Sequence, residues 1–232
     1  MTRHELKEQI QHDPFAESVA KVVDYTSSHR SSVIRWVVIA AAVALVVGGV
    51  LWYTSHARSQ RQQDMERAFE VLAAPVGPDV PAGLKSFPTE DAKRQASLKA
   101  LSDVVSKDGG SREGMIARYY RGTITAQKDA KSAEADLKAV ADSSAEVSSL
   151  AKIALSQVYA GENRLPDAQA LLRSLIDKPN SLVSKEQAQI QLAQLDRTAN
   201  PQEARNILQQ IKSSDPVITG AVRELSSQLE QR

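Results

Sequence analysis

The chain has 232 residues, with 29 basic and 28 acidic side chains, a formal net charge of +1, 42% hydrophobic and 4% aromatic residues, and no cysteine. Balanced charge spread along the chain leaves no electrostatic footprint for nucleic acid. The missing cysteine excludes disulfides, thiolate metal sites, cysteine nucleophiles and a lipid-bearing cysteine anchor. Few aromatics beside abundant Ala, Ser, Gln and Leu predict an all-α fold, with material for one modest domain outside a single apolar run.

Residues 1–32 form a polar tail in which Asp13 and Pro14 are placed to start a short helix. Phe15, Val19, Val22 and Val23 share one face of it, with Glu17, Lys21 and Asp24 elsewhere. Such a helix can lie along a membrane surface, pack on a partner, or serve as a plain juxtamembrane element.

Residues 33–53 follow as a membrane span. Trp36 to Tyr53 carries no charged or strongly polar side chain, and at about 1.5 Å per residue it approaches the hydrocarbon thickness of a bilayer. Trp36 at one end and Trp52 and Tyr53 at the other suit the headgroup level. Ser55-His56-Ala57 offers a small-x-small cleavage site, yet the long preceding tail and long apolar run favour an uncleaved signal anchor. Lys21, Arg30 and Arg35 before the span are matched by Arg58, Arg61 and Arg67 after it. Arg3 and Lys7 tip the choice to a single-pass topology with the N-terminus cytoplasmic and the C-terminal domain outside. Ala40, Ala44 and Gly48 recur every fourth residue, a small-residue packing face for another helix or the common composition of a plain anchor.

Residues 54–88 read as a polar juxtamembrane helix over 58–73, ended by the Pro/Gly-rich loop 74–88. Thr89, followed by Glu90 and Asp91, then opens a helix whose buried face carries Leu98, Leu101 and Val105 and which closes over Lys107–Gly110.

A repeat begins beyond residue 111. Ala133, Ala168 and Ala204 head equivalent helices at spacings of 35 and 36 residues. Each is followed four residues on by Leu137, Leu172 or Leu208, and three further by Val140, Leu175 or Ile211. That is one helical face written three times. Gly122 and Ser156 supply small residues on the preceding helices, with Tyr159 and Leu195 as larger packing residues. Asp215 and Pro216 start a last helix bearing Val217, Ala221, Leu225 and Leu229, as expected of an element closing the array.

Catalytic chemistry finds little footing. His4, His12, His29 and His56 lie outside the repeats and at no metal-ligand spacing, so no metal, cofactor or catalytic residue is expected. Ser149-Leu-Ala-Lys152 matches S-x-x-K without the companion motifs of a serine hydrolase. A membrane-bound hydrolase using Ser149 and Lys152 remains the remote alternative to a non-enzymatic protein.

The repeat face and period resemble tetratricopeptide repeats in degenerate form, lacking their usual tryptophan. The resemblance implies a TPR-like α-solenoid of helix hairpins over 89–232 with a C-terminal capping helix. The tail with "ESVAKVVDY", the single span, "SHARSQRQQ" and the repeats together resemble the YfgM-like ancillary subunits of the Sec translocon. That family implies a periplasmic scaffold partnered by translocon components, envelope chaperones or secreted polypeptides. An envelope-assembly or cell-division scaffold of the same repeat type is the competing reading. Repeat position nominates Tyr119, Thr123, Ile153, Gln157, Gln189 and Ala193 as partner-binding residues on a concave face formed by the first helices.

Overall fold

The computed structural model describes residues 30–77 and 85–231, so the helix expected after Asp13 lies outside the described residues. It is all-helical. Among the described residues there are nine helices, and the only β-type pairing is an isolated bridge between Val76 and Phe87. Two units are distinguished, residues 1–59 and 60–232.

In the first unit, Ile34 to Ser59 belong to helix α1 (Arg30–Ala73), which is long and apolar enough to cross a membrane. Its large side chains have no protein cover: Trp36 is 71% exposed and Leu45 77%. In water so large an apolar sleeve would be strongly unfavourable, whereas hydrocarbon accepts it and the helix satisfies its own backbone polar groups. Ala40, Ala44 and Gly48 are exposed along it, and a Cβ added at Gly48 would meet nothing within 4 Å.

The second unit begins on the last turns of α1. Expected as a polar connector, this stretch buries Met65, Ala68, Val71 and Ala74, with Met65 and Ala68 packed against Leu101 and Val104 of α2 (Glu90–Asp108). The apolar residues are three or four apart within Arg- and Gln-rich sequence, so they line one face despite the low overall hydrophobicity. The loop after α1 is pinned at its base by Gly77 N donating to Phe87 O and Phe87 N donating to Pro75 O, each at 3.0 Å.

Three helix pairs follow: α3 (Arg112–Ala126) with α4 (Ala130–Ala141), α5 (Ser148–Gly161) with α6 (Leu165–Asp177), and α7 (Lys185–Ala199) with α8 (Pro201–Gln210). Each helix from α2 to α8 packs on the next, and α3 touches α5 as α5 touches α7. Helix α9 (Pro216–Glu230) packs on α7 and α8. Starts are marked locally. Thr89, Ser111, Asp129, Ser184 and Asp215 each accept a hydrogen bond from a backbone N–H of the first turn, and Pro166 and Pro201 occupy first-turn positions where a missing N–H costs nothing.

The face predicted for the second helices lies in the core except at Ile211, which follows the end of α8 in extended backbone and is half-buried. Ala133, Ala168 and Ala204 are fully covered, and Leu137, Leu172 and Leu208 are at most 3% exposed. The same face occurs a fourth time in α2, where Ser97, Leu101 and Val104 stand 36 residues before Ala133, Leu137 and Val140 and are equally buried. Serine at the small position disguised this copy; its hydroxyl is absorbed by Lys93 O at 2.8 Å. Leu98, placed on the buried face from the sequence, is only half-buried. Val217 is 77% exposed, its place taken by Ile218, which with Val222, Leu225 and Leu229 forms the stripe of α9 that faces the protein.

Two glycines mark where helices come closest. A Cβ on Gly122 would stand 2.7 Å from Leu137 Cγ, and one on Gly114 would stand 2.1 Å from the backbone oxygen of Asp108. A leucine side chain can yield by rotating; a helix-end carbonyl cannot. Gly114→Ala is therefore expected to lower the thermal midpoint of the full chain, followed by circular dichroism in detergent, more than Gly122→Ala does. Leu137→Ala, which opens a cavity, is expected to cost about 2–5 kcal/mol.

Candidate functional site

The first helices α3, α5 and α7 line up through the contacts between α3 and α5 and between α5 and α7. The nominated residues scatter over this layer. Tyr119 is half-buried, meets Tyr120 edge-on at 5.3 Å, and Tyr120 in turn meets Phe69 at 5.3 Å. Burial pushes the Tyr119 phenol above its ordinary pKa, and Tyr120 adds to the effect. Ile153 is half-buried and packs against the core around Leu172, Leu192 and Leu208.

Thr123 and Gln157 come together. They line a cavity of about 420 Å³ between α3 and α5, floored by Ala126, Ala130 and Ala154 and joined by Gln127. Gln157 also lines a second cavity of about 310 Å³ between α5 and α7, with Ala160, Gln191, Gln194 and Leu195.

Gln189 and Ala193 do not belong to this surface: Gln189 is 8% exposed and Ala193 is fully covered. The cause is a register shift. Equivalent first-helix positions, such as the buried Ala117, Ala151 and Ala188 or Gly122, Ser156 and Ala193, recur at spacings of 34 and 37 residues, not at the 35 and 36 of the second helices. One added residue sits in the turn after α5, where Asn163 adopts φ 61°. More chain precedes α7, where Asn180 Oδ1 accepts the N–H groups of Leu182 and Val183 at 3.0 and 2.9 Å. An error of one residue turns a helical position by about 100°, from groove to core. The equivalents of Ile153 and Gln157 are Ile190 and Gln194. Aligning the small residues of the first helices separately from those of the second would have found Gln194.

No charged residue lines either of these two cavities, and several collect where pairs meet. Arg121 forks onto Asp136 at 2.6 and 2.7 Å and reaches Ser102 at 3.2 Å, tying α2, α3 and α4 together. In the turn after α5, Arg164 donates to Glu134 at 3.0 Å, Glu162 at 3.2 Å and Asp167 at 3.0 Å, with its guanidinium 3.8 Å from the Tyr159 ring centroid. The Tyr159 hydroxyl donates to the other Glu134 oxygen at 3.1 Å. Glu134 holds the Arg164 proton more tightly than usual, and Arg164 in return lowers the Glu134 carboxyl, with Tyr159 helping. One pair later the carboxyl changes sides: Gln169 donates to the fully buried Asp196 at 2.5 Å, at positions equivalent to Glu134 and Tyr159.

Ser149 and Lys152 are engaged separately. The Ser149 hydroxyl, in a residue 2% exposed, accepts from Asn180 Nδ2 at 3.0 Å, and Lys152 Nζ donates to Ser174 at 3.4 Å. Among the described residues no group of three His, Cys, Asp or Glu is placed to hold a metal ion.

Two outcomes follow from these contacts. The folded-state pKa of Glu134 is depressed, so its carboxylate supports the fold fully above the ordinary value of 4.5, and that support fades as pH falls through the lowered value. Glu134→Gln is expected to flatten the acid side of a stability–pH profile measured by thermal melting below pH 4.5. A serine-reactive probe is expected to leave Ser149 unlabelled; labelling abolished by Ser149→Ala would revive a nucleophilic role. No family model, curated protein or solved structure matches this chain.

Proposed function

We propose that this protein is a membrane-anchored protein–protein interaction scaffold whose helix pairs form a TPR-like solenoid, with α9 as its capping element. Its place is the periplasmic face of the inner membrane, as an ancillary translocon subunit that passes secreted polypeptides toward envelope chaperones. The observation carrying this reading is the pairing of two features in one chain: a single exposed apolar helix, and stacked first helices with open grooves between them.

The physical logic is that of a docking platform. Stacked helix pairs conceal their apolar faces on each other, which frees the outer side of the first helices for a partner. The second helices carry the shared buried face, whereas the first helices carry exposed Gln157 and Gln194 beside alanines. The location and the translocon partner rest on the likeness in sequence organisation to YfgM-like subunits.

Protease added to intact spheroplasts is expected to digest residues 60–232; digestion only after the inner membrane is ruptured would reverse the topology. A photo-crosslinker at Thr123 in living cells is expected to capture translocon components or periplasmic chaperones. Capture of division or envelope-assembly proteins alone would move the assignment to the competing scaffold class.

A further inference from the structure

Among the described residues from 60 onward, three large apolar side chains are exposed: Phe69, Leu182 and Val217. Phe69 is met edge-on by Tyr120 at 5.3 Å. The other two lie at helix starts, Leu182 three residues ahead of α7 and Val217 in the first turn of α9. Asp215 and Pro216 already supply the start of α9, and Ile218 takes the inward position, so nothing in the fold calls for an apolar residue at 217.

These starts share one edge. Arg112 at the beginning of α3 donates to Glu146 ahead of α5 at 2.9 Å, and Asn180 ahead of α7 donates to Ser149 in the first turn of α5 at 3.0 Å. Arg197 and Arg205 donate to the Gln228 side chain and to Leu229 O, which sets the end of α9 beside the end of α7. Since α9 packs on α7, it also begins where α7 begins. On the same edge, between the starts of α3 and α5, is a cavity of about 230 Å³ walled by Ile116, Ala145, Val147, Leu150 and Leu182, with the Arg112–Glu146 pair as its charged border. It shares no lining residue with the grooves of the first-helix layer. An apolar knob and an apolar socket on one edge are the two halves of a contact in which each meets its opposite in a second copy.

We propose that two copies of this chain pair edge to edge about a twofold axis, Val217 of each seated in the cavity between α3 and α5 of the other. Charge favours a second copy as the occupant. Arg112 and Glu146 border the socket, and Lys212 and Asp215 stand exposed just before the knob, so each flank brings one base and one acid to the other. Size requires the symmetry. One valine in one socket covers far less than the roughly 1,200 Å² at the lower edge of stable interfaces, whereas a twofold axis makes the contact twice and covers Leu182 on both copies. Two chains anchored by α1 in one bilayer also meet at a raised effective concentration, which offsets a modest interface. The pairing goes beyond the docking of partners on the first-helix face, because it uses a different edge and leaves those grooves open.

The chain has no cysteine, so introduced thiols report this geometry without background. The full chain is expressed in the same cells in two tagged forms, Ala145→Cys at the socket and Gly220→Cys one turn beyond the knob, where an added Cβ meets nothing within 4 Å. Membranes are then treated with a short bismaleimide. The mixed pair is expected to crosslink, and each form with itself on the order of tenfold less, because the twofold axis holds like positions apart. Val217→Glu in the Gly220→Cys chain is expected to lower the mixed crosslink on the order of tenfold, since a carboxylate would have to enter an apolar socket. Val217 is exposed, so an unchanged circular dichroism spectrum separates lost pairing from lost folding. Absence of the mixed crosslink, equal crosslinking of like positions, or a mixed crosslink indifferent to Val217→Glu, as association through the apolar spans alone would give, overturns the proposal.

Discussion

The close crossing of each second helix against its neighbours is the constraint from which the rest of this structure follows. A small residue at Ser97, Ala133, Ala168 and Ala204 lets backbones approach, and a leucine one turn later, at 101, 137, 172 and 208, fills the space that the approach encloses. Neither works alone: without the small residue the leucine would be held away from its partners, and without the leucine the crossing would enclose a void. Gly122 shows the tolerance from the opposing side, since Leu137 already stands where its Cβ would be. The pattern also commits four helix faces to the interior and leaves the first helices with an outer side that has no structural duty.

Polar contacts set how one pair is placed on the next. Tyr159 reaches Glu134, and at the corresponding positions Asp196 is reached by Gln169, so the same two sites link successive pairs by different chemistry. In the earlier case Arg164 gathers three carboxylates and covers the tyrosine ring. Surface ion pairs taken singly contribute little, but a planar guanidinium shared among several partners fixes an orientation. The two grooves between the first helices are lined by no charged side chain.

The first part of α1 follows a different rule, being long and apolar enough to cross a membrane. The side chains from Trp36 to Tyr53 are exposed, and the absence of charge over that length is what hydrocarbon requires. Further along the same helix, Met65 and Ala68 turn to the α2 leucine. Along its length α1 changes from an all-round apolar surface to a single apolar face.

The sequence by itself determined the helical class, the apolar span, the second-helix face and the helix starts at Thr89 and Asp215, because these depend on periodicity and on contacts within a few residues. It left hidden the fourth copy in α2, where serine stands for alanine, and the core role of Met65 and Ala68, where two apolar residues sit in a polar run. Which glutamines face the groove was decided only by the tertiary structure. A turn lengthened at Asn163 and a connection folded on Asn180 displace the first helices relative to the second, and a helix converts a shift of one residue into a change of side. Local sequence records the period of each helix, but the phase between helices is fixed by packing.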